Sequence, residues 1–137
     1  MTHLLDTHVW IQRALGEPLP PLVDKILEDH SDSLALADIS LWEASKLVEL
    51  GRLELSLPWS EFFRLALAPE LTVLPVSPAI AERATTLEAS GFHKDPADQL
   101  IVATALVHEL RLISADSRIH QWGRVPLVWR TVRNGDC

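Results

Sequence analysis

Asp95-Pro96-Ala97-Asp98-Gln99-Leu100-Ile101-Val102-Ala103, continuing to Glu109 and then into Arg111-Leu112-Ile113-Ser114-Ala115-Asp116, is the stretch that decides the fold. Aspartate followed by proline is a helix start: the carboxylate accepts from free N–H groups of the first turn, and proline suits the first helical position. The segment that follows is apolar on nearly every face, as expected of a buried helix. It leads into a short apolar strand, Arg111–Ser114, that runs out toward the acid Asp116. A buried helix feeding a buried strand is a half-unit of a parallel α/β sheet.

Outward from there the same alternation recurs. His3-Leu4-Leu5 reads as a strand ending at Asp6, with a helical pattern from Thr7 to about Leu15 stopped by Gly16 and Pro18. Pro21–Asp29 reads as a helix and Leu34–Ala37 as a strand; Ser40 opens a helix through Leu50, with Gly51 as its stop. A helix is expected from Pro58 to about Ala68, a strand over Leu71–Val76, a helix from Ser77-Pro78 to about Ser90, and a last strand over Val125–Val128. Strands separated by helices predict a three-layer α/β sandwich, a short and mostly parallel sheet flanked by helices. In such sheets the strand C-termini share one edge, where ligands bind.

The chain has 137 residues, 47% hydrophobic and 23% charged, which fits one soluble domain over 1–137, with a small helical lobe around 41–68. No apolar run approaches the roughly 20 residues of a membrane span. The N-terminus has no basic region ahead of its apolar residues, and the single cysteine, Cys137, excludes a disulfide framework or a Cys-rich zinc site. A cytoplasmic protein is expected. The net charge of −7 disfavours a nucleic-acid partner, but its distribution does not. Residues 111–137 carry five arginines (Arg111, Arg118, Arg124, Arg130, Arg133) against two acids, a balance of +3, which leaves −10 on the first 110 residues.

Acids stand where the sheet edge should be. Asp6 follows the first strand and Asp116 the fourth; Glu43 and Asp98 lie in first helical turns. Each has a structural explanation: Ser40-Leu41-Trp42-Glu43 reads as a capping box, Asp95 as an N-cap, and Asp98 as an acid favoured by the helix dipole. Together they demand compensation, because neighbouring carboxylates raise one another's pKa. A hard divalent cation, Mg²⁺ or Mn²⁺, is the usual answer, and phosphodiester hydrolysis by activated water is the natural chemistry of such a site. The basic C-terminal third, with Arg118 beside Asp116, is then the candidate holder of substrate phosphate.

The blocks Leu4-Leu5-Asp6-Thr7-His8-Val9-Trp10, Ile39-Ser40-Leu41-Trp42-Glu43, Asp95–Ala103 and Leu112–Asp116, in this order, closely resemble the PIN-domain proteins, and in particular VapC-type toxins of toxin–antitoxin pairs. The resemblance implies a PIN-like sandwich and a Mg²⁺- or Mn²⁺-dependent endoribonuclease leaving 5′-phosphate and 3′-hydroxyl ends. It also implies a cognate VapB-type antitoxin and a homodimer. It carries the catalytic and metal-ligating roles to Asp6, Glu43, Asp98 and Asp116, with Thr7 and Ser114 in support. Asp95 is read as a helix cap in preference to an outer-shell acid. Gln99 departs from the basic residue frequent at its position in related toxins.

The six histidines have no metal-ligand spacing; His8 and His93 lie near acids but are read as non-catalytic. Trp10 and Trp42 lie beside acids, where either can stack a base, although core packing is the preferred reading. Phosphatase and receiver-type readings fail on His8, which stands where a second acid would be needed, and on the lack of any lysine after Lys94. The rival from another class is a non-catalytic binding module whose acids only cap helices. It should show no saturable Mn²⁺ site.

Overall fold

The computed structural model describes residues 1–67 and 70–130. Five short strands form one sheet: β1 (His3–Leu5), β2 (Leu34–Ala37), β3 (Thr72–Leu74), β4 (Arg111–Ile113) and β5 (Leu127–Val128). Their order is β3-β2-β1-β4-β5, and every ladder is parallel. The connecting helices are α1 (Thr7–Ala14), α2 (Pro21–Asp29), α3 (Ile39–Glu49), α4 (Trp59–Ala66), α5 (Pro78–Thr86), α6 (Pro96–Val107) and α7 (Ser117–Trp122).

Successive strand residues point to opposite faces, and the two faces have separate cores. Leu4, Ala35, Ala37 and Leu112 pack with Ile101, Val102 and Ala105 of α6 and Ile119 of α7. Leu5, Leu34, Leu36 and Ile113 pack on the other face with Val9 and Trp10 of α1, Val23 and Leu27 of α2, Ala44 of α3 and Phe62 of α4. Both faces being covered explains why β1 and β2 are buried throughout and, His3 apart, apolar without alternation. The chain runs outward from β1 through β2 to β3, then returns through α5 and α6 to place β4 on the other side of β1. The β1–β4 boundary is therefore the switch point of the sheet, the place where its strand ends leave a crevice.

Several expectations need correcting. The helix after β2 begins at Ile39, capped in position by Asp38 without a side-chain cap bond, so Ser40 lies inside α3 and the expected capping box is not formed. Asp38 Oδ2 instead accepts from the Val76 N–H (3.1 Å), tying the end of β2 to the segment after β3. The helix expected to reach Ser90 stops at Thr86 and is followed by a single 3-10 turn over Glu88–Ser90. The short α7 was not anticipated. Asp116 caps it and Gly123, at φ 67°, ends it in the left-handed conformation that glycine takes without strain. The strands over Leu71–Val76, Arg111–Ser114 and Val125–Val128 are each shorter than expected. The expected helix end at Ala68, and Arg133 and Cys137, lie outside the described residues.

Candidate active site

Asp6 leaves β1 at the switch point and turns the chain into α1. Its Oδ1 accepts the Thr7 N–H (2.9 Å), and its Oδ2 accepts the Ser114 hydroxyl (2.5 Å) from the end of β4. Ser114 Oγ in turn accepts the Asp116 N–H (3.0 Å), so one buried hydroxyl joins the acids that follow the two central strands. Asp116 spends Oδ1 on the first turn of α7, accepting from Arg118 N (2.8 Å) and Ile119 N (3.2 Å).

Glu43 reaches the same edge from α3. It accepts from the Thr7 hydroxyl, which also bonds to the buried Ser40 hydroxyl (2.8 Å). Ser40 thus has a residue type that sequence reading noticed and a partner it did not: the hydroxyl serves Thr7 rather than the helix start. Asp98, on the first turn of α6, is buried, and its Oδ2 accepts from His93 Nε2 (2.7 Å) and from the Arg118 guanidinium (3.2 Å). Arg118 also reaches Asp116 Oδ2 at 3.2 Å, bridging the two acids. Asp95 caps α6, its Oδ1 accepting from Ala97 N (2.9 Å) and Asp98 N (3.2 Å). Gln99, in place of a basic residue, donates to the His93 carbonyl (3.1 Å) and so braces the histidine that faces Asp98. That role of His93 was missed; its only sequence signal is its closeness to Asp98.

The electrostatics follow from burial. Desolvation pushes the Asp6 carboxyl up, against the lowering effect of the Ser114 hydrogen bond, and the charge of Asp98 pushes it further. Glu43 is raised to about 7, first by burial and then by Asp6, Asp98 and Asp95, with the Thr7 hydrogen bond opposing. Asp98 is raised by burial and by Asp95 and Asp116, with His93 opposing. Burial also raises Asp116, but bonds from the Arg118 side chain and from the Ile119 and Arg118 N–H groups outweigh it, and its carboxyl lies below the usual range. The acids therefore sense one another's charge.

Their oxygens are hard donors of the kind Mg²⁺ and Mn²⁺ favour, and the mutual destabilisation of their charges is what a divalent cation relieves. By donor chemistry the set fits such an ion. Among the described residues, no three His, Cys, Asp or Glu side chains are already gathered into a ready coordination shell, so ligation would draw Asp98 and Asp116 away from Arg118.

Other sequence candidates separate clearly. Trp10 is core, 1% exposed and packed on Phe62 and Phe63, whereas Trp42 is 56% exposed. His8 is exposed. Of the arginines, Arg118 meets the acids; Arg111 begins β4, paired with His3 at the opposite end of the sheet. No described helix is long and apolar enough to cross a membrane.

Residues 3–125 match the family model of the PIN domain. The chain is 37% identical over 131 residues to "Ribonuclease VapC22" of Mycobacterium tuberculosis, covering 93% of this chain and 98% of that protein. Among solved structures, the DNA-bound VapBC of Salmonella typhimurium aligns with a TM-score of 0.71 at 16% identity, covering 93% of this chain and 97% of that one. A toxin–antitoxin complex from Klebsiella pneumoniae aligns with a TM-score of 0.67 at 23% identity, covering 93% and 96%. At these identities the two structures speak to the fold.

Proposed function

This chain belongs to the PIN domain family, and from that premise we propose that it is a metal-dependent endoribonuclease, the toxin of a toxin–antitoxin pair. The observation that carries the reading is that four acids from separate stretches of sequence lie near enough to act on one another's charge beside the switch point of the sheet: Asp98 on Asp6, both on Glu43, and Asp116 on Asp98. A 37% identical ribonuclease supports the substrate class.

Asp6, Asp98, Asp116 and Glu43 would hold Mg²⁺ or Mn²⁺. When bound, such an ion supplies Lewis acidity, which makes water a nucleophile near neutral pH and offsets charge on phosphate. The chain's own residues do the rest. Ser114 and Thr7 fix the Asp6 carboxylate, one on each oxygen. His93 orients Asp98. The Thr7 hydroxyl holds the Glu43 carboxyl in place, and its pKa, raised to about 7 in the metal-free protein by burial and by the neighbouring acids, is the charge strain that a bound cation would relieve. Arg118 supplies the cation that receives a substrate phosphate once it leaves Asp98 and Asp116. Hydrolysis adds water across the P–O3′ bond, leaving a 5′-phosphate and a 3′-hydroxyl. We read Asp95 as the cap of α6. The partners are an RNA substrate, a VapB-type antitoxin that covers the acids, and a second copy of the chain in a homodimer; the compartment is the cytoplasm, and residues 1–137 act as one domain with its helical lobe around 41–68.

The test is cleavage of total RNA by antitoxin-free protein with Mn²⁺ or Mg²⁺, with EDTA, and with Asp6→Asn. Cleavage that needs metal and vanishes in a folded Asp6→Asn protein is expected. An active Asp6→Asn protein removes that residue from the site. Failure to cut RNA, together with no saturable Mn²⁺ binding by calorimetry, favours the non-catalytic binding module.

A further inference from the structure

The acid cluster has two unlike flanks. On one, the Arg118 guanidinium meets Asp98 and Asp116. On the other, a groove of about 560 Å³ opens beside Glu43 and Asp95, with Ile39 and Trp42 of α3 on one wall and Pro96 and Leu100 of α6 on the other. Its apolar residues are not simply core: Trp42 is 56% exposed and Pro96 is also open to solvent. The only charged residues in its lining are the two acids. Such a groove repels a phosphate and welcomes a flat, uncharged ring with N–H groups at its edge. Nucleobases have that chemistry: a face that stacks on indole and, in adenine, cytosine and guanine, exocyclic amines that donate to carboxylates.

We propose that Trp42, backed by Pro96 and Leu100, is the stacking platform for one base of a single-stranded RNA, next to the phosphate held at the acids. The inference rests on the ribonuclease reading and adds to it a substrate subsite. It follows from continuity: the groove shares Glu43 with the acid cluster, so a strand whose phosphate lies between the acids and Arg118 has a neighbouring base at the groove mouth. A base can lie flat on Trp42 only where it is free of a duplex stack, so the platform selects unpaired RNA.

The test is RNA binding in the Asp6→Asn background with Mn²⁺, where the strand stays intact. The probes are a fluorescent single-stranded RNA of mixed sequence, about 12 nucleotides long to span one binding site, and a ribose-phosphate oligomer of the same length without bases. Trp42→Ala should weaken binding of the base-bearing strand by about ten-fold to a hundred-fold. It should leave the abasic strand unchanged, and Trp42→Phe should keep most of the affinity. Equal binding of the base-bearing strand by Trp42→Ala and its parent overturns the platform, as does equal weakening of both probes. A Trp42→Ala protein that sediments as monomer where its parent is a dimer overturns it too, by giving the groove to a second copy. Wild-type protein that cuts RNA while Trp42→Ala binds and cuts equally well removes the platform alone. A wild-type protein that neither binds nor cuts RNA removes the ribonuclease reading with it.

Discussion

Ser114 asks two things of one hydroxyl: it donates to Asp6 Oδ2 and accepts from the Asp116 N–H. Ser114→Ala leaves the buried Asp6 oxygen without its donor and the half-buried Asp116 N–H without its acceptor, at a cost of about 1–3 kcal/mol. It also removes the hydrogen bond that holds the Asp6 carboxyl down against burial, so Mn²⁺ affinity should fall along with stability. Urea unfolding and calorimetry check the two effects; unchanged Mn²⁺ binding would show that Ser114 only packs. Arg118 is the contrasting case. Its side chain is 55% exposed, and its buried partner Asp98 keeps a hydrogen bond to His93 when the guanidinium is removed, so the loss should be about 1 kcal/mol and Arg118→Gln should melt within a few degrees of wild type. Its effect belongs to substrate: RNA binding should weaken across sequences, and the dependence of log Kd on log salt should become shallower by about one. An unaltered salt slope would place the phosphate elsewhere.

At the scale of elements, α6 joins cap and chemistry within four residues. Asp95 closes the first turn through two N–H groups, and Asp98, one turn on, faces the site. Asp95→Ala should cost about 1 kcal/mol of stability, whereas Asp95→Asn keeps a good N-cap and should retain RNA cleavage within a few-fold. Loss of cleavage in the folded Asn variant would make the charge, and not the cap, the function. This helix also shows what sequence can reveal. An Asp-Pro start, a run apolar on all sides and a strand ending in an acid are local signals, and α6, β4 and the positions of Asp98 and Asp116 follow from them. The same logic places Asp6 at the end of β1, but it sets Glu43 in a first helical turn, whereas α3 begins at Ile39 and Glu43 stands beyond that turn. What escapes it is non-local. Ser40 has the sequence context of a cap, yet its hydroxyl bonds to Thr7, brought close only by the β1–β2 pairing. Six-residue α7 is too short to show a period. Trp10 and Trp42 look alike in sequence, and only the packing of α4 on α1 buries the first.

Across the whole molecule, charge sets how stability answers to pH. Asp6, Glu43 and Asp98 all have folded-state values above their ordinary ones. Each therefore contributes stability that is full below the ordinary carboxyl pKa and is lost as pH rises through the folded value, which for Glu43 runs from 4.5 to about 7. Asp116, lowered, contributes stability that is lost only at acid pH, below its ordinary value of 3.8. His3 runs the other way: burial, then His30 and Arg111, lower its pKa from 6.5, so its contribution is present above that pH and fades below it. Above pH 6.5 His3 has nothing more to add, and only the carboxyl slope remains. In EDTA, then, the melting temperature should fall as pH rises from 6.5 through about 7 and level off toward pH 8. Glu43 alone sets a slope of at most about 1.4 kcal/mol per pH unit, reduced by its contact with solvent. Millimolar Mg²⁺ or Mn²⁺ should oppose the fall, because the ion binds the ionised acids and not the protonated ones. Its stabilisation should therefore be larger at pH 8 than at pH 6, and binding at pH 6 should release protons, seen as a buffer-dependent heat. The measurement is a melting series at several pH values with EDTA or Mn²⁺. A melting temperature that rises from pH 6.5 to 8 in EDTA, or a metal effect equal at both ends, would mean that the acids of the sheet edge do not titrate as one destabilised group.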